Sequence, residues 1–454
     1  MRPHHRLVRR GAGPSLRLPR HVATTAHLSA LHPWSIETGL AQTGPLLGAN
    51  RLAGGGFHFD LVDAYAAGLV QGPNMIISGA GAYGKSAIAK SYIYRTSLLS
   101  ARSGRPTFTA VIDPKGEWTA LGERLGFATL RLHPGGNLRI NPLDDAPGVH
   151  HARALANGHR TSAGDPGTQA QAIRRSSVLA AMLAVALGRP ELAVGEQRLL
   201  TVLAHRLTSV RPAPTLVDVR KALAYPDRTL ADDLDTTEAE LLDRRRPLLD
   251  ACATILEQDL HGICDGPTTP GLTWDDAPGM IIDLSGLLTN RRALRLVLTA
   301  VAGWLQTVLY GQTGHKTMVI DEGWIALDDH AIVRFLQDQW RLGRQWGAAN
   351  ILITHAIADL QAQAGAGTAT ARIAEGLLNT TSVRVFLHQN PEQTGHLLTG
   401  LGLTAVETNL LRALPPFVAV WDVGGHTALV DHIITVDEWS FADTDAAMRP
   451  RDTR

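Results

Sequence analysis

Lysine is scarce in this chain. Only five occur among 454 residues, so the positive charge rests on arginine. The two cysteines, Cys252 and Cys264, form no CxxC pair. That excludes a disulfide framework and a cysteine zinc site, and it fits a reducing cytoplasm. Acids and bases nearly cancel, leaving a formal charge of +1, which gives no support for a molecule-wide nucleic-acid coat. No apolar run is long enough to span a membrane. The best, Leu294 to Leu309, is interrupted by Arg295 and Gln306 and reads as a core helix. Acidic residues are missing before Glu37, where Arg2, Arg6, Arg9, Arg10, Arg17 and Arg20 stand instead. No apolar stretch follows Arg9 and Arg10, which excludes a twin-arginine export signal. The segment reads as a flexible tail, with an electrostatic tether to DNA or anionic lipid as the other reading. His21, His27, His32, His150 and His151 lack metal-ligand partners. There is no solenoid-period repeat and no low-complexity tract.

What is present begins with one run. Gly79-Ala80-Gly81-Ala82-Tyr83-Gly84-Lys85-Ser86 fits the phosphate-binding pattern GxxxxGK[ST]. An apolar segment, Asn74 to Ser78, precedes it as a buried strand. Ala87 and the residues after it open an amphipathic helix. Strand, loop and helix in this order are the context the motif requires. Successive backbone N–H groups of such a loop point at phosphates, and the helix N-terminus adds partial positive charge. Lys85 is expected to reach the β- and γ-phosphates of ATP, and Ser86 to hold Mg2+. With lysine so scarce, a lysine at this position is hard to assign to chance.

Around the loop, apolar runs alternate with helical patterns. Thr107 to Ile112, Ala128 to Leu132, Met280 to Leu284, Met318 to Ile320, Asn350 to Thr354 and Val383 to Leu387 read as strands. Gly56 to Asp60 alternates like an edge strand, and Phe417 to Trp421 with Thr427 to Val430 reads as a closing pair. This order predicts an α/β fold, a RecA-like P-loop NTPase with a mostly parallel sheet covered on both faces. Between about 150 and 275 the period turns helical, as in Leu199, Leu200, Leu203 and Leu207. The expected organisation is a basic tail (1–50), the first part of the ATPase domain (51–150), an all-helical insertion (151–275), the second part (276–447) and a short tail (448–454).

The second half of a hydrolytic site is read at Met318-Val319-Ile320-Asp321-Glu322, a strand ending in two acids. Asp321 is placed to bind Mg2+ through water and Glu322 to polarise the attacking water. His355, directly after a strand, stands where a polar sensor of the γ-phosphate is expected. Arg341 and Arg344, near Gly343, stand where an arginine could reach a neighbouring subunit's nucleotide; Arg344 is the candidate finger. The same two positions also fit a capping histidine and a helix-end arginine.

The P-loop, Asp113-Pro114-Lys115-Gly116-Glu117, Asn141-Pro142-Leu143-Asp144 and Asp321-Glu322-Gly323-Trp324 occur in that order. Together they resemble the HerA–FtsK superfamily of hexameric translocating ATPases. Within it they are most similar to the conjugation ATPases of type IV secretion, the TraC-like branch. Gly262-Ile263-Cys264-Asp265-Gly266-Pro267-Thr268 and Leu401-Gly402-Leu403-Thr404 point the same way. Asp443-Thr444-Asp445 and the arginine-rich composition are similar to actinobacterial members. The resemblance spans about residues 45–447. It implies a homo-oligomeric ring, a hexamer, at a membrane-embedded secretion channel on the cytoplasmic side, hydrolysing ATP to drive transfer of DNA or protein. Its site residues carry over as Lys85 and Ser86, Asp321 and Glu322, His355 as sensor and Arg344 as finger.

Three departures stand out. Ala82 occupies a position where glycine is common, His355 replaces a more usual glutamine, and the family's large N-terminal domain has no counterpart in residues 1–50. Two other jobs fit the same motifs: a coupling protein that threads single- or double-stranded DNA itself, and a nucleotide-gated structural subunit with little turnover. Lys115 has no assigned contact from sequence.

Overall fold

The computed structural model describes residues 43–144, 166–227, 229–269, 277–311, 314–326, 330–355, 375–391 and 405–443. The basic segment before 43, the five histidines named above, Leu401 to Thr404, Thr444, Asp445 and the tail 448–454 lie outside them.

One sheet organises the chain. In sequence order its strands are β1 (Leu46–Asn50), β2 (Gly55–His58), β3 (Asn74–Ser78), β4 (Thr107–Asp113), β5 (Ala128–Arg131) and β6 (Gly279–Asp283). Then come β7 (His315–Ile320), β8 (Ala348–Thr354), β9 (Val383–Phe386), β10 (Val418–Val423) and β11 (His426–His432). They lie side by side as β2-β1-β11-β10-β9-β3-β8-β7-β4-β6-β5, eleven strands in all. From β9 to β5 every pairing is parallel. From β9 to β2 every pairing is antiparallel, which adds a meander to one edge.

The central strands are apolar without a break because both faces are covered. Their side chains alternate between two cores. Ile76, Ile112, Ile282, Met318, Ile320 and Leu352 face one. Met75, Ile77, Val111, Ile281, Val319 and Ile353 face the other, against Ile88, Tyr92, Leu121 and Phe441. Those last residues belong to α1 (Lys85–Arg102), α2 (Thr119–Leu125) and a C-terminal helix, Val436–Ala442.

The helical stretch falls between β5 and β6, which are adjacent parallel strands. Its described helices include Pro166–Ala186, Val194–Val210, Leu216–Ala224 and Glu238–Thr254. They bury Leu179, Met182, Leu199, Leu203 and Leu248 against the first core. Two motifs of the sequence meet where this stretch departs and returns. Ile140 N–H donates to Ile263 O at 2.8 Å, and Asn141 N–H to Thr268 Oγ1 at 3.1 Å. Buried Asn141 also donates to Pro214 O at 3.0 Å. The Asn-Pro-Leu-Asp element is therefore a tie at the neck of the helical stretch.

One boundary moves. Residues 46–50, read from sequence as the end of a tail, are a sheet strand held between β2 and β11. Gly48 lies so close to Asp431 that an added Cβ would sit 2.1 Å from its carbonyl oxygen. The partner strand is nearly the whole chain away, so no local periodicity announces the pairing.

Candidate active site

All the central parallel strands point their C-terminal ends the same way, and the chemistry collects there. After β3 the chain turns through Gly79 to Gly84 into α1. Gly84 has φ 91°, and a Cβ there would meet the Phe417 ring at 2.5 Å, so only glycine fits. Ala82 also has a left-handed backbone, φ 64°, which costs an alanine about 1–2 kcal/mol. The floor of the loop rests on the end of β9. Ala80 N–H donates to His388 O at 2.9 Å, and the Tyr83 ring stacks on His388 with centroids 4.0 Å apart.

Gly81, Ala82, Gly84, Lys85, Ser86, Ala87, Lys115, Glu117, Glu322 and His355 share the wall of one cavity of ≈ 410 Å³. Gly79 and Ala80 lie buried beneath it. The buried Lys85 Nζ is 3.1 Å from His355 Nδ1, and His355 Nε2 is 3.0 Å from Glu322 Oε1. Because an ammonium only donates, Nδ1 accepts from Lys85. The ring proton of a neutral His355 is then on Nε2, donated to Glu322. Lys115 forms an ion pair with the same Glu322 oxygen. Burial opposes ionisation of Glu322, but His355 and Lys115 overcome it and hold the carboxyl at about 2. Burial pulls the Lys85 ammonium down, while Glu322 and Asp321 pull it back up.

Glu322 reaches the cavity because its backbone is left-handed, φ 51°. Its N–H donates to Asp321 Oδ1 at 2.8 Å. Asp321 sits behind it, buried, with Oδ2 accepting the Trp118 indole N–H at 2.8 Å. The turn after β4 supplies that indole. Asp113 accepts N–H bonds from Gly116, Glu117 and Trp118 at 2.8, 3.1 and 2.8 Å, and burial pushes its carboxyl up to about 6 against them. Since β4 lies beside β7, this turn delivers both Lys115 and Trp118 to the end of β7.

Lys115 thus has a contact that sequence reading left undecided. Trp118, Phe417 and Trp439 were missed altogether. An indole three residues past Lys115 carries no pattern of its own, and Phe417 and Trp439 come from the far C-terminal part of the chain. The structure does not bring Arg344 to the cavity. With Arg341 it lines a separate cleft of ≈ 870 Å³ beside Asn74, Gly72 and Arg384, at the opposite end of β3 and β8. A strand of β8's length separates the two, on the order of 20 Å.

A magnesium ion fits the donors present. It is a hard cation that takes few protein oxygens and keeps water and substrate oxygens. The Ser86 hydroxyl in the cavity and the oriented Asp321 carboxylate behind it match that preference. Among the described residues no group of three or more His, Cys, Asp or Glu side chains offers a closed metal cage.

Strand-end glycine loop, buried lysine and paired strand-end acids on a parallel sheet define a P-loop NTPase fold. Solved structures share it. VirB4 of Thermoanaerobacter pseudethanolicus aligns with a TM-score of 0.68 at 18% identity, over 88% of this chain and 98% of that one. The plasmid coupling protein TrwB with the ATP analogue ADPNP gives 0.55 at 14% identity, over 94% and 96%. TrwB with ADP and Mg2+ gives 0.54 at 14%, over 80% and 85%. At these identities the fold is what is shared. No protein-family model and no curated protein matches the sequence.

Proposed function

We propose that this chain is an ATP-hydrolysing motor for type IV secretion-like conjugative transfer. In this reading it works as a homo-oligomeric ring, a hexamer, on the cytoplasmic face of a membrane-embedded channel. The observation that carries hydrolysis is the Glu322 carboxylate in one cavity with Lys85 and the Gly81–Ser86 loop. Likeness to VirB4 supports the secretion assignment. Among the described residues no helix is long and apolar enough to cross a membrane.

The residues divide the work. Backbone N–H groups of the loop and the Lys85 ammonium compensate phosphate charge. Ser86, and Asp321 through water, would hold Mg2+, which would supply positive charge against the charge developing in phosphoryl transfer. Entry of a triphosphate draws Lys85 from His355 to the phosphates. His355 Nδ1 then lacks its donor, while Nε2 still faces Glu322 Oε1. Both His355 and Lys115 hold Glu322 at Oε1, and turning either to the γ-phosphate would leave its carboxylate a stronger base towards water. Arg344 is the residue we assign to a neighbour's nucleotide.

A second reading, a coupling protein that threads single- or double-stranded DNA, draws on the likeness to TrwB. Steady-state phosphate release measured against protein concentration, with and without single-stranded DNA, separates the two. The motor reading expects a rate per subunit that climbs with concentration, vanishes in Glu322→Gln and changes little with DNA. Strong salt-sensitive stimulation by DNA would favour the coupling protein. Equal turnover by wild type and Glu322→Gln would remove the assignment of this site.

A further inference from the structure

The cavity has an end that phosphate chemistry does not use. Beyond Ala87 its wall is Pro416, Phe417, Trp439, Ala442 and Asp443. Phe417 and Trp439 meet edge to face, centroids 5.4 Å apart at 83°, and both are only half-buried.

Phe417 is held in a conformation its residue type disfavours. Its φ is 64°, a left-handed backbone that a bulky side chain rarely adopts. Three hydrogen bonds keep it there. Its N–H donates to Tyr83 O of the phosphate loop at 3.0 Å. Its carbonyl accepts from His432 N–H at 2.9 Å and from His432 Nδ1 at 3.0 Å. Buried His432 has its tautomer set from the other side, since Nε2 accepts the Trp421 indole N–H at 3.1 Å. The chain thus fixes an aromatic ring against Gly84, at the mouth of the phosphate loop. Strain held in place by its surroundings, at the rim of a cavity, points to use of the side chain.

We propose that Phe417 and Trp439 form the nucleobase subsite, an aromatic platform on which the base of a nucleoside triphosphate stacks while its phosphates lie on Gly81 to Ser86. The inference rests on the nucleotide reading of the loop and names the part of the ligand held beyond it. A cavity of ≈ 410 Å³ lies within the usual range for small-molecule sites, about 300–1,000 Å³. Any base has a π-face, so the platform tolerates different bases.

The test compares ATP with inorganic tripolyphosphate, which has the charge and no base, by calorimetry on the full chain. Stacking on an aromatic side chain is worth about 5- to 150-fold in affinity, and wild type binds ATP tighter by about that factor. Phe417→Gly suits the left-handed backbone and removes the ring. It erases most of the gap while tripolyphosphate affinity stays within about twofold. Trp439→Leu narrows the gap in the same direction. Equal loss for both ligands would mean that the rings only support the loop, and unchanged ATP affinity would put the base elsewhere; either overturns the proposal. Binding of 2-aminopurine riboside triphosphate to unaltered protein gives a check that needs no variant. Stacking quenches its emission, and bound but unquenched analogue rejects the platform. Failure of the nucleotide reading looks different: neither ATP nor tripolyphosphate binds wild type, or Lys85→Ala changes neither.

Discussion

Acidification is expected to unfasten the C-terminal hairpin from the phosphate loop through one histidine. Burial brings His432 from its ordinary 6.5 down to about 4, against the hydrogen bond to Phe417 and the charge of Asp431, which favour the proton, and with Arg95, which disfavours it. The folded state therefore binds this proton later than the unfolded chain does. The stabilisation is complete above 6.5 and is lost as pH falls towards 4. At about 1.4 kcal/mol per pH unit the whole loss is on the order of 3 kcal/mol, and by about pH 5 it reaches about 2 kcal/mol. Urea unfolding followed by tryptophan emission, at about pH 7.5 and about pH 5, measures it. His432→Asn keeps a donor and an acceptor without a titrating ring. The wild type is expected to lose about 2 kcal/mol more than this variant between the two conditions. Parallel losses in both proteins would refute the reasoning, because the proton would then be going elsewhere.

Other perturbations probe the cavity itself. Lys115→Met removes one of the two partners that hold Glu322 at about 2. Burial is then less opposed, the carboxyl rises, and the acid limb of the hydrolysis profile moves up by about one pH unit or more; an unmoved limb would show that Lys115 does not set it. Ala82→Gly relieves the left-handed strain but loosens the unfolded chain, so the net gain in stability is about 0.5–1 kcal/mol in thermal unfolding. A loss there would mean the methyl group is needed. Arg344→Ala is expected to keep ATP binding and lose most hydrolysis, with recovery when mixed with a P-loop variant. Mixed assemblies that stay inactive would exclude a role in trans.

Much of the fold was legible because its signals are local. The central strands β3, β4, β6, β7 and β8 read as apolar runs, and their bounds in the structure differ from those runs by few residues. The phosphate loop was legible because glycine, lysine and serine at fixed spacing have one use. Ala82 was legible as standing where glycine is common, and its φ of 64° is a conformation that glycine adopts without cost. β1 was not, because its pattern is short and its partner, β11, lies at the other end of the chain.

The amino-acid order by itself determined the buried strands, the phosphate loop and the acids Asp321 and Glu322, since each is read from near neighbours in the sequence. Tertiary structure alone decided which side chains meet. The pairing of β4 with β7 puts Lys115 on Glu322 and Trp118 on Asp321. The end of β8 sets His355 between Lys85 and Glu322. The β10–β11 hairpin carries Phe417 to Gly84 across more than half the chain. Strand order is fixed by burying both faces of the sheet at once, a condition on the whole chain that no local window contains.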